Sequence, residues 1–332
     1  MKESDIRPTG LMDEQKRLYQ ADVQLFVSNK NEFQTANCPA CNSQEYVSLL
    51  EKFGLNYDKC SSCRTVFLNP RPTAAHIQDY YSNSQNYQFW AEQIFPASEE
   101  VRREQIFKPR VAQVVESLKS LGYSKPRLLE VGAGFGIFSE EAQKTGYFGE
   151  VIAVEPMPYL AEKCKSRGLS VIEKFIEDIE FDRDVDVIVN FEVIEHLLDP
   201  KTFLKSCFDL LVPGGVLIIT CPNFEGFDVL LLGGVSDQLD TEHINMFNLD
   251  SFGLMLRDVG FEVTNYSTPG KLDVDIVKNK IASKEFEVED NLLLDFIFNT
   301  KYESIAGPLQ QFLVETKLSS NMQFIARKPK AI

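Results

Sequence analysis

The sequence predicts an α/β fold built on a doubly wound sheet of seven strands, the last of them antiparallel. Three observations carry this expectation. From Arg127 onward short apolar strands alternate with helical stretches; a glycine-rich turn follows the first of those strands; and a final strand arrives after a mostly helical insertion over about 271–319. Alternation of this kind specifies a parallel sheet with helices on both faces.

Taken in order, residues 11–34 read as a polar helix with Leu18, Leu25 and Phe26 loosely periodic. A cysteine segment runs from Cys38 to Cys63 and leads into "NPRPT", where Pro70 and Pro72 disfavour helix. Residues 73–95 are rich in aromatics, among them Tyr80, Tyr81, Tyr87, Phe89 and Trp90. The stretch 98–121 carries Val111, Val114, Val115, Leu118 and Leu121 at helical spacing, with Pro109 marking a break or a fresh start.

Five strands then follow in turn, "RLLEV", "VIAVE", "LSVIE", "VDVIVN" and "GVLIITCP". Helices are expected at "GIFSEEAQKTG", at "YLAEKCKSRG" and at "PKTFLKSCFDLL", the last capped by Asp199 with Pro200 in its first turn. The helix "LDSFGLMLRDVG" and the strands "FEVTNYST" and "MQFIARK" complete the set. The chain thus reads as an N-terminal helix (1–37), a cysteine ribbon (38–72), an aromatic-rich helical cover (73–126) and an α/β domain (127–332).

Composition narrows the function. The chain has 34 Lys+Arg against 49 Asp+Glu, a net charge of -15 at pH 7. That opposes binding of a polyanion, which depends largely on lysine and arginine displacing counterions. No apolar run reaches the length of a membrane span. The polar start "MKESDIRPTG" lacks the apolar stretch of a signal peptide, so a cytoplasmic protein is expected. Seven cysteines in such a compartment suggest thiols or metal ligands rather than disulfides.

"LLEVGAGFGIF" places Gly132, Gly134 and Gly136 directly after the first α/β strand. Glycines there let backbone approach a ligand, and the following helix start offers free N–H groups. The spacing departs from a dinucleotide fingerprint, whose third glycine would fall at Ile137. Glu130, just before the loop, suits a cation better than a pyrophosphate. Glu155, closing the second strand, is placed to accept hydrogen bonds from both hydroxyls of a ribose.

These residues resemble the class I S-adenosylmethionine-dependent methyltransferases, over roughly 127–268 plus the last strand. The resemblance implies a Rossmann-like sheet, S-adenosylmethionine as cofactor, and binding by Glu130, Gly132, Gly134, Gly136 and Glu155. It also implies that Phe175 or Ile176 faces the adenine, with Glu177 or Asp178 nearby; the family often has an Asp at this point, which this sequence lacks.

Cys38-x-x-Cys41 and Cys60-x-x-Cys63 flank eighteen residues. Four such thiolates complete a closed tetrahedral zinc shell, which is structural because no coordination position stays open. Cys164, Cys207 and Cys221 fall in helix or strand patterns and read as core residues. A cysteine ribbon, "NPRP" and a tyrosine-rich stretch before such a core resemble a bacterial subgroup that includes sugar methyltransferases. In that likeness Tyr80, Tyr81 and Tyr87 line the cofactor pocket; alternatively they pack the ribbon onto the core.

"FEVIEHLLDP" leaves the end of the fourth α/β strand with Glu192, Glu195 and His196 close together. One helical turn over 192–196 would set all three on one face. His243, in "DTEHINMF", follows the fifth strand and its loop. E-x-x-E-H with a distant His resembles the metal-assisted O-methyltransferases of ubiquinone synthesis and the small-RNA terminal 2′-O-methyltransferases. That likeness implies a second divalent metal on Glu192, Glu195, His196 and His243. Metal-free acid–base chemistry or substrate positioning by the histidines is the alternative, and a plain structural turn a third. His76 receives no role. The function expected is methylation of a small hydroxylated acceptor, a sugar or nucleotide-linked sugar foremost. C- or N-methylation, an RNA-modifying enzyme and a non-catalytic cofactor-binding subunit stand as alternatives.

Overall fold

A computed structural model describes residues 2–180 and 185–330. Its eleven strands are β1 (Tyr46–Lys52), β2 (Leu55–Cys60), β3 (Val66–Leu68), β4 (Arg127–Val131), β5 (Glu150–Val154), β6 (Ser170–Ile172), β7 (Val185–Phe191), β8 (Leu211–Pro222), β9 (Asn245–Met246), β10 (Glu262–Ser267) and β11 (Asn321–Arg327). The chain divides into two compact units. One comprises Met1–Ser98, Pro222–Ser251 and Ser267–Met322; the other comprises Glu99–Cys221, Phe252–Tyr266 and Gln323–Ile332. The aromatic-rich segment 73–126 is therefore shared between the units, parting at Ser98, and the insertion belongs to the first.

The second unit carries a seven-stranded sheet of order β10-β11-β8-β7-β4-β5-β6. β6, β5, β4, β7 and β8 pair in parallel. The order reverses between β4 and β7, so their carboxyl ends open a crevice of the kind in which α/β sheets bind ligands. The sheet residues are apolar on both faces because helices cover both. The helix Lys108–Ser120 lays Val111, Val114 and Leu118 on Leu128, Val187, Val189, Val216 and Ile218. Each such fully buried side chain contributes about 1.5–3 kcal/mol relative to exposure. Pro109 sits in the first turn of that helix, where its missing N–H is not needed. The helix Pro200–Leu210 starts as expected, with the Asp199 carboxylate accepting the Thr202 N–H at 3.0 Å. Cys164, Cys207 and Cys221 are buried, as their patterns imply.

The first unit carries a four-stranded sheet of order β1-β2-β3-β9. β1, β2 and β3 form an antiparallel meander, and β9 joins it from far along the chain through Val66↔Met246 and Phe67↔Asn245. The insertion is helical at Asp273–Ala282 and Tyr302–Glu315, and packs Val274, Val277, Phe298 and Leu313 against Leu232. Among the described residues no helix is long and apolar enough to cross a membrane.

Candidate active site and metal centre

In the second unit the glycine loop joins β4 to the helix Ile137–Lys144. Gly132 has φ +75°, and a Cβ there would lie 2.5 Å from a Val193 methyl carbon, so only glycine fits. Gly134 differs: φ is +55°, yet nothing lies within 4 Å of where its Cβ would be. The loop backbone therefore faces open space at Gly134, as a ligand cradle requires.

Two carboxylates brace this loop. Glu130 is buried and accepts the Ser139 N–H at 3.0 Å and the Ser139 hydroxyl at 2.5 Å. It thus caps the third residue of a helix whose own N-cap, Gly136, has no side chain to do so. Burial pushes its pKa up to about 8. Glu155 accepts the Gly134 N–H at 2.7 Å with one oxygen and the Met157 N–H at 3.0 Å with the other. Burial raises it to about 7, against the pull of those two backbone donors. Each carboxylate oxygen keeps further acceptor capacity for hydroxyl donors. After β6, Ile176 is buried while Phe175 is 60% exposed. Of the two, Phe175 has a ring face to offer a base.

Two arginines escaped the sequence reading. Arg110 stacks its guanidinium 4.4 Å from the centre of the Phe191 ring. Burial works against its charge, and Glu192 and Glu130 support it. Arg167 donates to the Phe135 carbonyl inside the loop at 2.7 Å and to Glu140 and Glu99 at 2.9 Å each. Arg103 joins the same acidic residues, so the loop is held from its outer side by an ion-pair network. A cation at 110, on the apolar stripe of Phe107, Val111 and Val114, was the one available signal.

The turn after β7 departs from expectation. No helical turn covers 192–196; only Ile194–His196 takes a tight 3₁₀ turn. Glu192 adopts φ +57°, and its N–H extends the sheet to the Thr220 carbonyl at 3.0 Å. The Thr220 hydroxyl donates to its carboxylate. Glu192 is thus drawn toward β8 rather than stacked one turn before His196. Glu195 is 1% exposed, with Oε1 3.9 Å from His196 Nε2.

In the first unit the four cysteines converge. Their Sγ atoms all lie within 4.8 Å of one another, with Cys38–Cys63 at 3.4 Å and Cys41–Cys60 at 3.5 Å. A tetrahedral ion with Zn–S bonds of about 2.3 Å needs sulfurs about 3.8 Å apart, so the donor set fits zinc. Both knuckles repeat one design: Asn42 N–H reaches the Cys38 carbonyl and Arg64 N–H the Cys60 carbonyl, with Asn42 and Arg64 themselves at positive φ of 60° and 64°.

His243 lies in this unit, two residues before β9. Its Nδ1 is 3.0 Å from the Gln238 carbonyl oxygen and 3.3 Å from Asp240 Oδ2. Neighbouring Glu242 accepts the Tyr80 hydroxyl at 2.8 Å and is raised to about 7, by burial first and Asp240 second. Tyr80 and Tyr81 meet edge-on at 5.6 Å, and Tyr81 and Tyr87 at 5.5 Å. His76 bonds Thr73 at the start of its helix.

Comparison with known proteins points to one family. Residues 99–266, half of the chain, match a family described as a methyltransferase domain. A probable S-adenosylmethionine-dependent methyltransferase of Mycolicibacterium smegmatis is 40% identical over 82 residues, covering 25% of this chain and 30% of that protein. A ubiquinone biosynthesis O-methyltransferase of Histophilus somni is 32% identical over 124 residues, 34% of this chain and 52% of that one. The chain thus spans about half or less of these curated relatives. Among solved structures, the plantazolicin methyltransferase BpumL in complex with SAH has a TM-score of 0.50 at 14% identity, covering 76% of this chain and 94% of that one. A Haloferax volcanii putative methyltransferase complexed with the Trm112 activator gives a TM-score of 0.50 at 15% identity, covering 74% and 97%. These structural likenesses concern the fold.

Proposed function

This chain belongs to the methyltransferase-domain family, and from that premise we propose that it transfers the methyl group of S-adenosylmethionine to a hydroxyl of a small acceptor, a sugar foremost. The observation that carries the reading is the pairing of an open-faced Gly134 with Glu155, whose carboxylate already holds the loop's N–H at 2.7 Å. When bound, the cofactor supplies an electrophilic methyl on a sulfonium. Glu155 accepts the ribose hydroxyls, Gly132, Gly134 and Gly136 give the backbone its close approach, and Phe175 offers a face to the adenine. Glu130 fixes the helix start beneath the loop, and Arg110 pairs with the carboxylate of the methionine end. The preference for oxygen rests on the ubiquinone O-methyltransferase relatives. The preference for a sugar rests on the likeness of the ribbon, "NPRP" and tyrosine segment to sugar methyltransferases.

A sugar hydroxyl holds its proton tightly, so the acceptor must lose it as the methyl transfers. His196 and His243 are the candidate bases. The second reading gives Glu192, Glu195, His196 and His243 to a divalent ion that lowers the hydroxyl's pKa. It is favoured by the carboxylate–imidazole pair at Glu195 and His196. Metal content distinguishes the two, since only the second needs an ion beyond the zinc that we assign to Cys38, Cys41, Cys60 and Cys63.

Isothermal titration with S-adenosylhomocysteine tests the central reading. Wild type binds, and Glu155→Ala weakens binding by about a hundredfold, the loss of two charge-assisted hydrogen bonds. A folded wild type that does not bind ends the reading.

A further inference from the structure

We propose that Asp240 is a positioning residue that fixes the ring and tautomer of His243, so that the working lone pair of that histidine is on Nε2. The inference rests on the reading of His243 as a base or ligand and adds the residue through which it acts.

Three observations converge at this turn. The Asp240 carboxylate is itself immobilised, because Oδ1 accepts the N–H of Glu242 at 2.8 Å and the N–H of His243 at 2.7 Å. An aspartate that bonds the backbone two and three residues ahead folds its own segment into a compact turn. Its other oxygen, Oδ2, is then left 3.3 Å from His243 Nδ1. On the same nitrogen the Gln238 carbonyl oxygen closes to 3.0 Å. Both groups at Nδ1 are acceptors, and a carbonyl can only accept, so Nδ1 must carry the hydrogen. In a neutral imidazole the basic lone pair is consequently at Nε2.

The turn has no slack. The Tyr57 hydroxyl donates to the Asp240 carbonyl, and Leu68 N–H to the Ile244 carbonyl at 3.0 Å. The Glu242 carboxylate accepts the Tyr80 hydroxyl. A carboxylate behind the far nitrogen of a working imidazole is how acyl-transfer triads and metal-bound histidines hold their ring. The arrangement therefore serves either role of Nε2.

The chain has three histidines, so a ¹⁵N-histidine spectrum of the full-length protein is readable, with His243→Gln identifying the signals. At a pH where the ring is neutral, wild-type His243 shows the Nδ1–H pattern. Asp240→Asn keeps an oxygen for the two backbone N–H groups but turns an amide donor toward Nδ1. The Nε2–H form should appear as a measurable fraction absent from wild type, because the amide donor opposes a hydrogen on Nδ1 while the Gln238 carbonyl still accepts one. Asp240→Glu restores the Nδ1–H form. Backbone amide spectra report whether each variant keeps the fold. A wild-type ring in the Nε2–H form, or a folded Asp240→Asn with an unchanged tautomer, overturns the proposal. Titrating the same wild-type sample with S-adenosylhomocysteine reports separately on the methyltransferase reading, which can fail while the tautomer result stands.

Discussion

On the proposed reading, Glu155 is one buried side chain that couples cofactor binding to pH. Its carboxyl is raised to about 7 because burial disfavours the charge. In the unfolded chain the same group titrates near 4.5. The folded protein therefore holds the extra proton between about pH 4.5 and 7, and the contribution of this group to stability falls as pH rises through that window. Binding runs the other way, since only the ionised carboxylate accepts from both ribose hydroxyls. Affinity for S-adenosylhomocysteine should increase from about pH 6 to about pH 8 and then level off. Glu155→Gln should bind more weakly and lose that part of the dependence, as titration calorimetry across the range would show. Equal slopes for the two proteins would mean that Glu155 is not the titrating group.

At the scale of elements, the cysteine ribbon holds the segment that carries His243. β3 pairs with β9, Arg71 donates to the Asn245 side chain at 2.8 Å, Asn248 to the Cys63 carbonyl at 3.1 Å, and Lys52 to the Ser236 carbonyl at 2.7 Å. A ribbon of this size has little core of its own, so the zinc we assign to its four cysteines would be part of its folding energy. Elemental analysis after exhaustive dialysis should find about one zinc per chain, and about one more divalent ion only if the metal reading of His196 and His243 holds. A folded, zinc-free protein would refute the ribbon. The convergence of the four cysteines was legible because each pair lies in one short C-x-x-C stretch. The ribbon's grip on residues 236–248 was not, because a two-residue strand such as Asn245–Met246 has no periodicity to read. The turn after β7 was misjudged for a related reason. Helical spacing of Glu192, Glu195 and His196 is a property of the letters, whereas the positive φ at Glu192 follows from its bond to β8.

Across the whole molecule, the doubly wound α/β class was legible because each βα unit carries its own strand, turn and helix signals. The loop glycines and Glu155 were legible because they sit at the ends of those strands. Arg110 and Arg167 were not, since nothing local says that the helix Lys108–Ser120 brings a cation to Phe191, or that a helix end returns to the Phe135 carbonyl. The net charge of -15 is consistent with a cationic cofactor and a neutral or small acceptor rather than a polyanion. The cofactor reading centres on one place, the carboxyl ends of β4 and β5 beside the crevice that opens between β4 and β7. A crystal grown with S-adenosylhomocysteine tests it most directly. The account predicts the ribose hydroxyls on the Glu155 carboxylate, the backbone of Gly134 against the ligand, and the amino-acid carboxylate facing Arg110. S-adenosylhomocysteine seated elsewhere, or a dinucleotide occupying that crevice in its place, would contradict it.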